Sequence, residues 1–268
     1  MSEYIIREYK REDIPELTRL WIDVFDEDER MLTAFFGALR HTGTGLAAVM
    51  DGKIVGAGYA LTGQSLVSGD RIIPLGLIYG IAVDPRCRSH GIGRAIVKAV
   101  AEMAKEQGAE IICCEPANQS LVRWYDEVLS LKPALYRREL SVPAQKSLPC
   151  HPLDAVEYAR LREKLLRGKN RVRLSDASMG FEEDMLKIYG GGFFAVAEGI
   201  AAAYLWEGQA IVRELICPEG LEERCAASLA HTLSASQAKL FESADKGQAY
   251  ILTDRPIPAD SHWNLSFN

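Results

Sequence analysis

The sequence predicts an α/β protein with a mixed, largely antiparallel sheet and flanking helices, its order of elements run through twice. Three observations carry this. Short apolar runs alternate with helix-spaced apolar patterns from Tyr4 to Val142, the rhythm of strands and helices that share one core. Asp51-Gly52 stands between two apolar runs and supplies the positive φ angles of a two-residue hairpin turn, so those neighbours are antiparallel. A hairpin, an apolar strand ending at a proline, a helix and another strand then return in the same order between Phe193 and Pro256, as an internal repeat would.

The elements follow in order. Tyr4 to Tyr9 is a β-favouring run. Arg11-Glu12-Asp13-Ile14-Pro15 sets an acid just before a proline, as helix starts do, and Ile14, Leu17, Leu20, Trp21, Val24 and Phe25 recur at helical spacing. A second helix carries Met31, Phe35, Phe36 and Leu39 behind the acids Asp26-Glu27-Asp28-Glu29. Leu46 to Met50 and Lys53 to Leu61 are the arms of the Asp51-Gly52 hairpin, Gly63 to Asp70 reads as a polar loop, and Ile72 to Val83 returns antiparallel. Gly80 interrupts that last strand, where glycine signals either a bulge or the close approach of a bulky neighbour. A long helical pattern runs from Ile92, Ala109 to Glu115 is a strand buried on both faces, Asn118 to Glu127 is a helix, and Ala134 to Val142 is the last strand of this half.

Between Ile81-Ala82-Val83 and the long helix lies Arg88-Ser89-His90-Gly91-Ile92-Gly93. Two glycines remove side chains where a helix begins, so N–H groups that are unpaired in any first turn can face an anion at the positive end of the dipole. Arg86, Arg88, Arg94 and Lys98 surround the seat, and guanidinium forks suit phosphate oxygens. A pyrophosphate fits such a place. Neither a Gly-x-Gly-x-x-Gly fingerprint nor a Gly-Lys-Ser/Thr run is present, which sets aside the dinucleotide and P-loop readings. In its strand-to-helix setting, Arg-x-x-Gly-x-Gly resembles the acyl-CoA loop of the Gcn5-related N-acetyltransferase (GNAT) superfamily. Asn118 followed seven residues later by Tyr125 resembles that family's second signature, although Leu129-Ser130-Leu131-Lys132 stands where Leu-Gly-Phe usually follows. The resemblance covers Tyr4 to Val142.

It implies acetyl-CoA as co-substrate and no metal. Arg88, Ser89, His90, Gly91, Ile92, Gly93 and Arg94 would then hold the pyrophosphate, Ile81, Ala82 and Val83 the pantetheine arm through main-chain groups, and Asn118 would also belong to the cofactor side. Tyr125 would protonate the CoA thiolate as it leaves; the ordinary alternative is a packed tyrosine with its hydroxyl at the surface. Glu27 and Glu29 would border the acceptor site and draw in a cationic amine, or else simply favour the dipole of the second helix. Glu115 is a candidate base and equally a solvated strand end, so no base is assigned. The implied reaction is acetyl transfer to a primary amine, in particular a small cationic one. Transfer of another acyl group, or a CoA-binding scaffold without turnover, are the alternatives.

The second half repeats the order but not the loop. Cys217-Pro218-Glu219-Gly220-Leu221-Glu222-Glu223 has one glycine and three acids where the first half has arginines, and acids repel pyrophosphate. The expected organisation is a complete acetyltransferase domain over 1–142, a Pro-, Ser- and Lys-containing linker over 143–152, and a degenerate copy over 153–268. Tandem halves of this kind can pack as separate subunits do, so a monomer is expected and a homodimer stays open.

Composition narrows the class further. The net charge of −6 on a chain that is 48% hydrophobic and 25% charged is that of a globular protein with no general attraction for nucleic acid or an anionic membrane. The basic turn is a local exception and favours a small anionic ligand. Six cysteines show no Cys-x-x-Cys pair, so zinc and dithiol motifs are unsupported. No signal-peptide pattern or apolar run of membrane-spanning length is visible, and the expected compartment is the cytoplasm.

Overall fold

The computed structural model describes residues 3–263. In chain order its elements are β1 (Tyr4–Glu8), α1 (Ile14–Phe25), α2 (Glu29–Thr42), β2 (Gly43–Met50), β3 (Lys53–Ser68), β4 (Arg71–Val83), α3 (Ile92–Glu106), β5 (Ile111–Cys114) and α4 (Gln119–Leu129). There follow β6 (Lys132–Pro143), β7 (Cys150–Leu153), α5 (Ala155–Leu165), β8 (Arg171–Leu174), α6 (Asp176–Ile188), β9 (Gly192–Val196) and β10 (Gly199–Trp206). The last are β11 (Gln209–Ile216), α7 (Glu222–Thr232), β12 (Gln237–Ala244) and β13 (Gln248–Thr253).

By its contacts the chain divides into two compact units. Of the described residues, the first holds those up to Ala134, with Arg173–Ser178 and Ala249–Ala259; the second holds Leu135–Val172, Met179–Gln248 and those from Asp260 to Trp263. In the first unit the sheet runs β1-β2-β3-β4-β5-β13. Only β4 and β5 in that row pair parallel, from Leu75↔Ile111 to Ile78↔Cys114, while β13 closes on β5 antiparallel through Leu252↔Cys114 and Thr253↔Cys113. Asp254 extends this seam, because its carboxylate accepts the Ile112 N–H at 2.9 Å and its own N–H donates to the Ile112 carbonyl at 3.0 Å. α1 and α2 bury Leu17, Leu20, Trp21, Leu32, Phe35 and Leu39, and α3 buries Ile92, Ile96, Val97 and Val100. α1 stops at Asp26, whose left-handed φ of 55° breaks the helix, and the Asp28 side chain caps α2 by accepting the Arg30 N–H at 2.7 Å.

The second unit has the row β7-β9-β10-β11-β12-β6. Here β11 and β12 are the parallel pair, from Ala210↔Ala238 to Val212↔Leu240, and β6 lies antiparallel to β12. Its core gathers Val196, Ala201, Val212, Leu229 and Leu240 beneath α7. Element for element, this row corresponds to that of the first unit.

Three stretches differ from the expectation. The strand read as the last of the first half, Ala134 to Val142, lies in β6, which pairs with β12 in the row of the second unit, while β13 takes the matching place in the first. Gly63 to Ser68, read as a polar loop, continues β3, and its register runs from Gln64↔Leu75 to Ser68↔Arg71 after a slip beyond Leu61. Leu66 and Val67 are buried there, so Ser65 and Ser68, which flank them, are half-buried residues of a strand and not a break in one. The stretch from 143 to 152, read as linker, contains Pro143 as the end of β6 and Cys150–Leu153 as β7, which pairs with β9 from Cys150↔Val196 to Leu153↔Phe193. Between them Gln145 donates to the Ala227 carbonyl at 3.0 Å and Leu148 to the Ser228 hydroxyl at 3.0 Å, so the connection is tied to α7.

Candidate active site

Gly80 resolves the architecture around the fourth strand. Ala57↔Ala82 and Tyr59↔Tyr79 are consecutive pairs of the β3–β4 ladder, so Gly58 alone faces Gly80 and Ile81 across a bulge. Gly80 has φ +56°, and a Cβ placed on it would lie 2.6 Å from Trp21 Cη2. Both meanings of a strand glycine therefore hold at once: a left-handed bulge residue and a backbone pressed against a bulky ring. Trp21 is itself wedged, with Phe35 at 4.9 Å, Tyr59 at 5.2 Å, Phe25 at 5.7 Å and Tyr79 at 5.8 Å between centroids.

Beyond the bulge the sheet opens. β4 pairs with β5 only as far as Ile78↔Cys114, while Tyr79, Ala82 and Val83 remain paired to β3. The side of Ile81-Ala82-Val83 away from β3 has no β5 partner, and β5 has ended. Unpaired main-chain donors and acceptors on such an edge can take an extended ligand as a further strand would.

The chain then enters the basic turn. Asp84 accepts from Arg86 three times, from its N–H at 2.9 Å, its Nε at 3.0 Å and its Nη2 at 2.7 Å, and the Arg86 guanidinium and N–H hold its carboxyl below the usual range. Arg86 is thus already paired. Arg88 is exposed and donates through Nε to the Val83 carbonyl at 3.3 Å. His90 turns its Nδ1 back on the loop, 2.7 Å from the Arg88 carbonyl, so its ring braces the turn. Ser89 and Gly91 take left-handed φ values of 67° and 78°.

The first bond of α3 runs from Ala95 N–H to the Gly91 carbonyl at 3.0 Å, which leaves the N–H groups of Ile92, Gly93 and Arg94 ahead of it as first-turn donors. A Cβ on Gly93 would meet only Val83 Cγ2 at 3.5 Å, an ordinary contact. Internal packing therefore does not require glycine there. Arg94 and Lys98 are exposed, and neither has an ionic partner among the described residues.

Tyr125 lies on α4, 7% exposed, edge-on to Trp124 at 5.0 Å. Burial pushes its phenol well up, and Cys114 at the end of β5 pushes it further, so the group is protonated at neutral pH, the state a proton donor needs. Asn118 precedes α4, and its Oδ1 accepts the N–H groups of Ser120 at 3.0 Å and Leu121 at 3.2 Å. That oxygen is engaged as a helix cap. Of the acids between the first two helices, Glu27 Oε1 accepts the Asp28 N–H at 3.1 Å and Glu29 is the exposed first residue of α2. Trp21 on α1 and Tyr79 beside Gly80 on β4 carried no distinguishing sequence signal, since an aromatic in an amphipathic helix or an apolar strand reads as ordinary core.

The corresponding place in the second unit is built from other chemistry. Ala202↔Glu214 and Ala203↔Val212 are consecutive pairs, which leaves Arg213 as the extra residue of a bulge in β11. Glu214, fully buried, accepts from the Tyr158 hydroxyl at 2.7 Å and from Arg162 Nε at 2.9 Å, and lies 2.7 Å from His262 Nε2. Burial pushes its carboxyl up, but Arg162 and His262 outweigh burial and hold it below the usual range. The β11–α7 turn puts Glu222 and Glu223 in the first turn of α7.

Residues 5–127 match the model of the acetyltransferase (GNAT) domain family. None of the curated protein sequences compared matches the chain. Among solved structures, a GCN5-related N-acetyltransferase from Kribbella flavida aligns with TM-score 0.67 at 14% identity, over 94% of this chain and 71% of the other. A GCN5-related N-acetyltransferase from Anabaena variabilis aligns with TM-score 0.63 at 13% identity over 94% and 72% of the two chains, and Eis1 from Mycobacterium abscessus with TM-score 0.60 at 12% identity over 93% and 73%. At such identities these likenesses speak to the fold. Taken with the turn, the bulged strand and the helix behind them, residues 5–127 form a GNAT acetyltransferase domain, and the protein that carries them is an acyltransferase.

Proposed function

We propose that the first unit transfers an acetyl group from acetyl-CoA to a primary amine, in particular a small cationic one. The observation that carries this reading is the start of α3, where the first-turn N–H groups, a glycine that internal packing does not require, and the unpaired Arg94 and Lys98 converge. Arg88 to Arg94 hold the pyrophosphate, and the unpaired side of Ile81 to Val83 takes the pantetheine arm. The neutral amine attacks the thioester carbonyl, with most of the rate gain coming from positioning, and Tyr125 donates a proton to the departing thiolate. Glu27 and Glu29 supply negative charge on the acceptor side.

We also read the chain as two tandem acetyltransferase-like folds, the second degenerate, in a cytoplasmic protein. The matching order of strands in the two units supports this, and the acids of the second turn, Glu219, Glu222 and Glu223, oppose an anion there. Calorimetric titration of the full chain with acetyl-CoA, beside Gly93→Glu, tests the reading. One site per chain, lost in the variant, is the expected result. Two sites would overturn the degenerate second copy, and none would favour a scaffold.

A further inference from the structure

α5 turns an uncommon face outward. Its buried side is made by Tyr158 and Arg162, with Leu166 just beyond its end, each at most 1% exposed. Helical period then sets the opposite side: Val156, Arg160 and Lys164, continued by Arg167 and Lys169 in the segment that follows. All four cations are exposed, and among the described residues none of them has an ionic partner. Glu163, the acid on the same side, is taken by Arg171 at 2.7 Å, and Glu157 stands in the first turn. Val156 is 78% exposed, more than any other large apolar side chain described. Many exposed cations elsewhere pair with a nearby acid, as Arg30 does with Asp28 at 2.6 Å, Arg71 with Glu110 at 3.9 Å and Lys132 with Asp126 at 2.6 Å. Cations at the end of a helix offset its dipole, which accounts for Lys164 and Arg167. Arg160 is the sixth of eleven residues and Lys169 lies beyond the helix, so the dipole asks for neither of them, nor for an exposed valine.

We propose that this face of α5 is a docking surface for an acidic peptide segment of a partner protein. Arg160, Lys164, Arg167 and Lys169 take its carboxylates, and Val156 packs against an apolar side chain beside them. Two features select this occupant. The chain carries a net charge of −6, so a long polyanion or an anionic bilayer that reached past the row would be repelled by the rest of the protein, whereas a short segment stays within a Debye length of about 8 Å of the four cations. From Val156 to Lys164 the row rises about 12 Å, the span of about four extended residues. Val156 is the second feature, because a peptide can offer it an apolar partner and a phosphate backbone cannot. The face lies in the second unit and does not depend on the acyl-transfer reading.

The test is fluorescence anisotropy with the full chain and a labelled octapeptide of aspartate and glutamate that ends in leucine. Saturable binding with a Kd below about 1 mM is expected at low salt, weakened severalfold by about 0.3 M salt. Reversing three charges together, Arg160→Glu, Lys164→Glu and Arg167→Glu, should weaken it at least about tenfold. The neutral set Arg160→Gln, Lys164→Gln and Arg167→Gln places no acid at the helix end and should weaken it about threefold or more, which keeps the test decisive if the acidic variant does not fold. Val156→Ser should weaken binding about threefold, and only when the peptide carries its leucine. Arg71→Glu, at an exposed cation of the first unit, should change nothing. Lack of saturation at about 1 mM peptide, unchanged affinity in the glutamine variant, or displacement of the peptide by acetyl-CoA, which would put it on the basic turn, would each overturn the proposal. So would tighter binding of a single-stranded oligonucleotide or of phosphatidylserine vesicles that the same variant abolishes.

Discussion

Replacing Gly80 by alanine tests the geometry on which the whole reading rests. Two costs add. The left-handed φ of 56° is unfavourable for any residue with a Cβ, by about 1–2 kcal/mol. The new methyl would also overlap Trp21, whose Cη2, Cζ3 and Cζ2 lie at 2.6, 3.0 and 3.1 Å from it. Trp21 is 4% exposed and held by Phe35 and Tyr59, so it cannot swing clear, and overpacking of this sort costs about 1–3 kcal/mol. Gly80→Ala should therefore destabilise the full chain by about 2–5 kcal/mol in urea unfolding followed by circular dichroism. Trp21→Leu removes the obstacle while opening a cavity of its own, so the double variant should be less destabilised than the sum of the two, by about 1–3 kcal/mol. Additivity within about 0.5 kcal/mol would refute the contact, and a Gly80→Ala cost under about 1 kcal/mol would refute the left-handed bulge as well.

Other perturbations address the chemistry and the two units. Tyr125→Phe should lower kcat by about 10²-fold or more with little change in the KM for acetyl-CoA; full kcat in the variant would exclude the phenol as proton donor. A fragment ending at Val142 lacks β13, whose Tyr250, Ile251 and Leu252 are buried, at about 1.5–3 kcal/mol each, a large share of a domain's stability. It should show no cooperative melt, and a melting temperature equal to that of the full chain would contradict the role of β13. Glu214 is held below the usual carboxylate range in the folded state, so its contribution is present above about pH 4.3, the unfolded value, and is lost as pH falls towards the folded one. Glu214→Gln should cost about 3–5 kcal/mol at pH 7 by leaving Arg162 buried without its counter-ion, and should flatten the loss of stability between pH 5 and pH 2.5; an unchanged slope would contradict the ion pair.

Legibility in the sequence followed side-chain period. α1 to α4 and most of β1 to β5 were readable because their buried residues are aliphatic or aromatic and recur at one period. α5 was not, because its buried face is made of Tyr158 and Arg162 while Val156 is 78% exposed, an inversion of the pattern that identifies an amphipathic helix. β12 hides in the same way: Ala238 and Leu240 alternate with polar neighbours over too short a run to stand out. The basic turn was legible as a strand-to-helix turn since its arginines and glycines stand at adjacent positions. The pairing of Asp254 with Ile112 spans 142 residues, and no local pattern announces it or the closure of β5 by β13 beside it.

The two bulges show how one backbone device serves two ends. In the first unit the bulge residue is a glycine covered by the Trp21 ring, and the side of Ile81 to Val83 away from β3 has no β5 partner, although Arg88 Nε takes the Val83 carbonyl. In the second, the residue after the bulge is Glu214, and it takes up Arg162, Tyr158 and His262. Trp21 and Arg162 are each the eighth residue of the helix that covers its bulge. Aromatic cover engages no polar group at its bulge, whereas a buried ion pair uses polar groups on itself and stabilises no more than apolar packing would. Substitution of the pair Arg162 and Glu214 by apolar residues should therefore be far better tolerated than loss of either one, and should leave acetyl-CoA binding by the first unit unchanged.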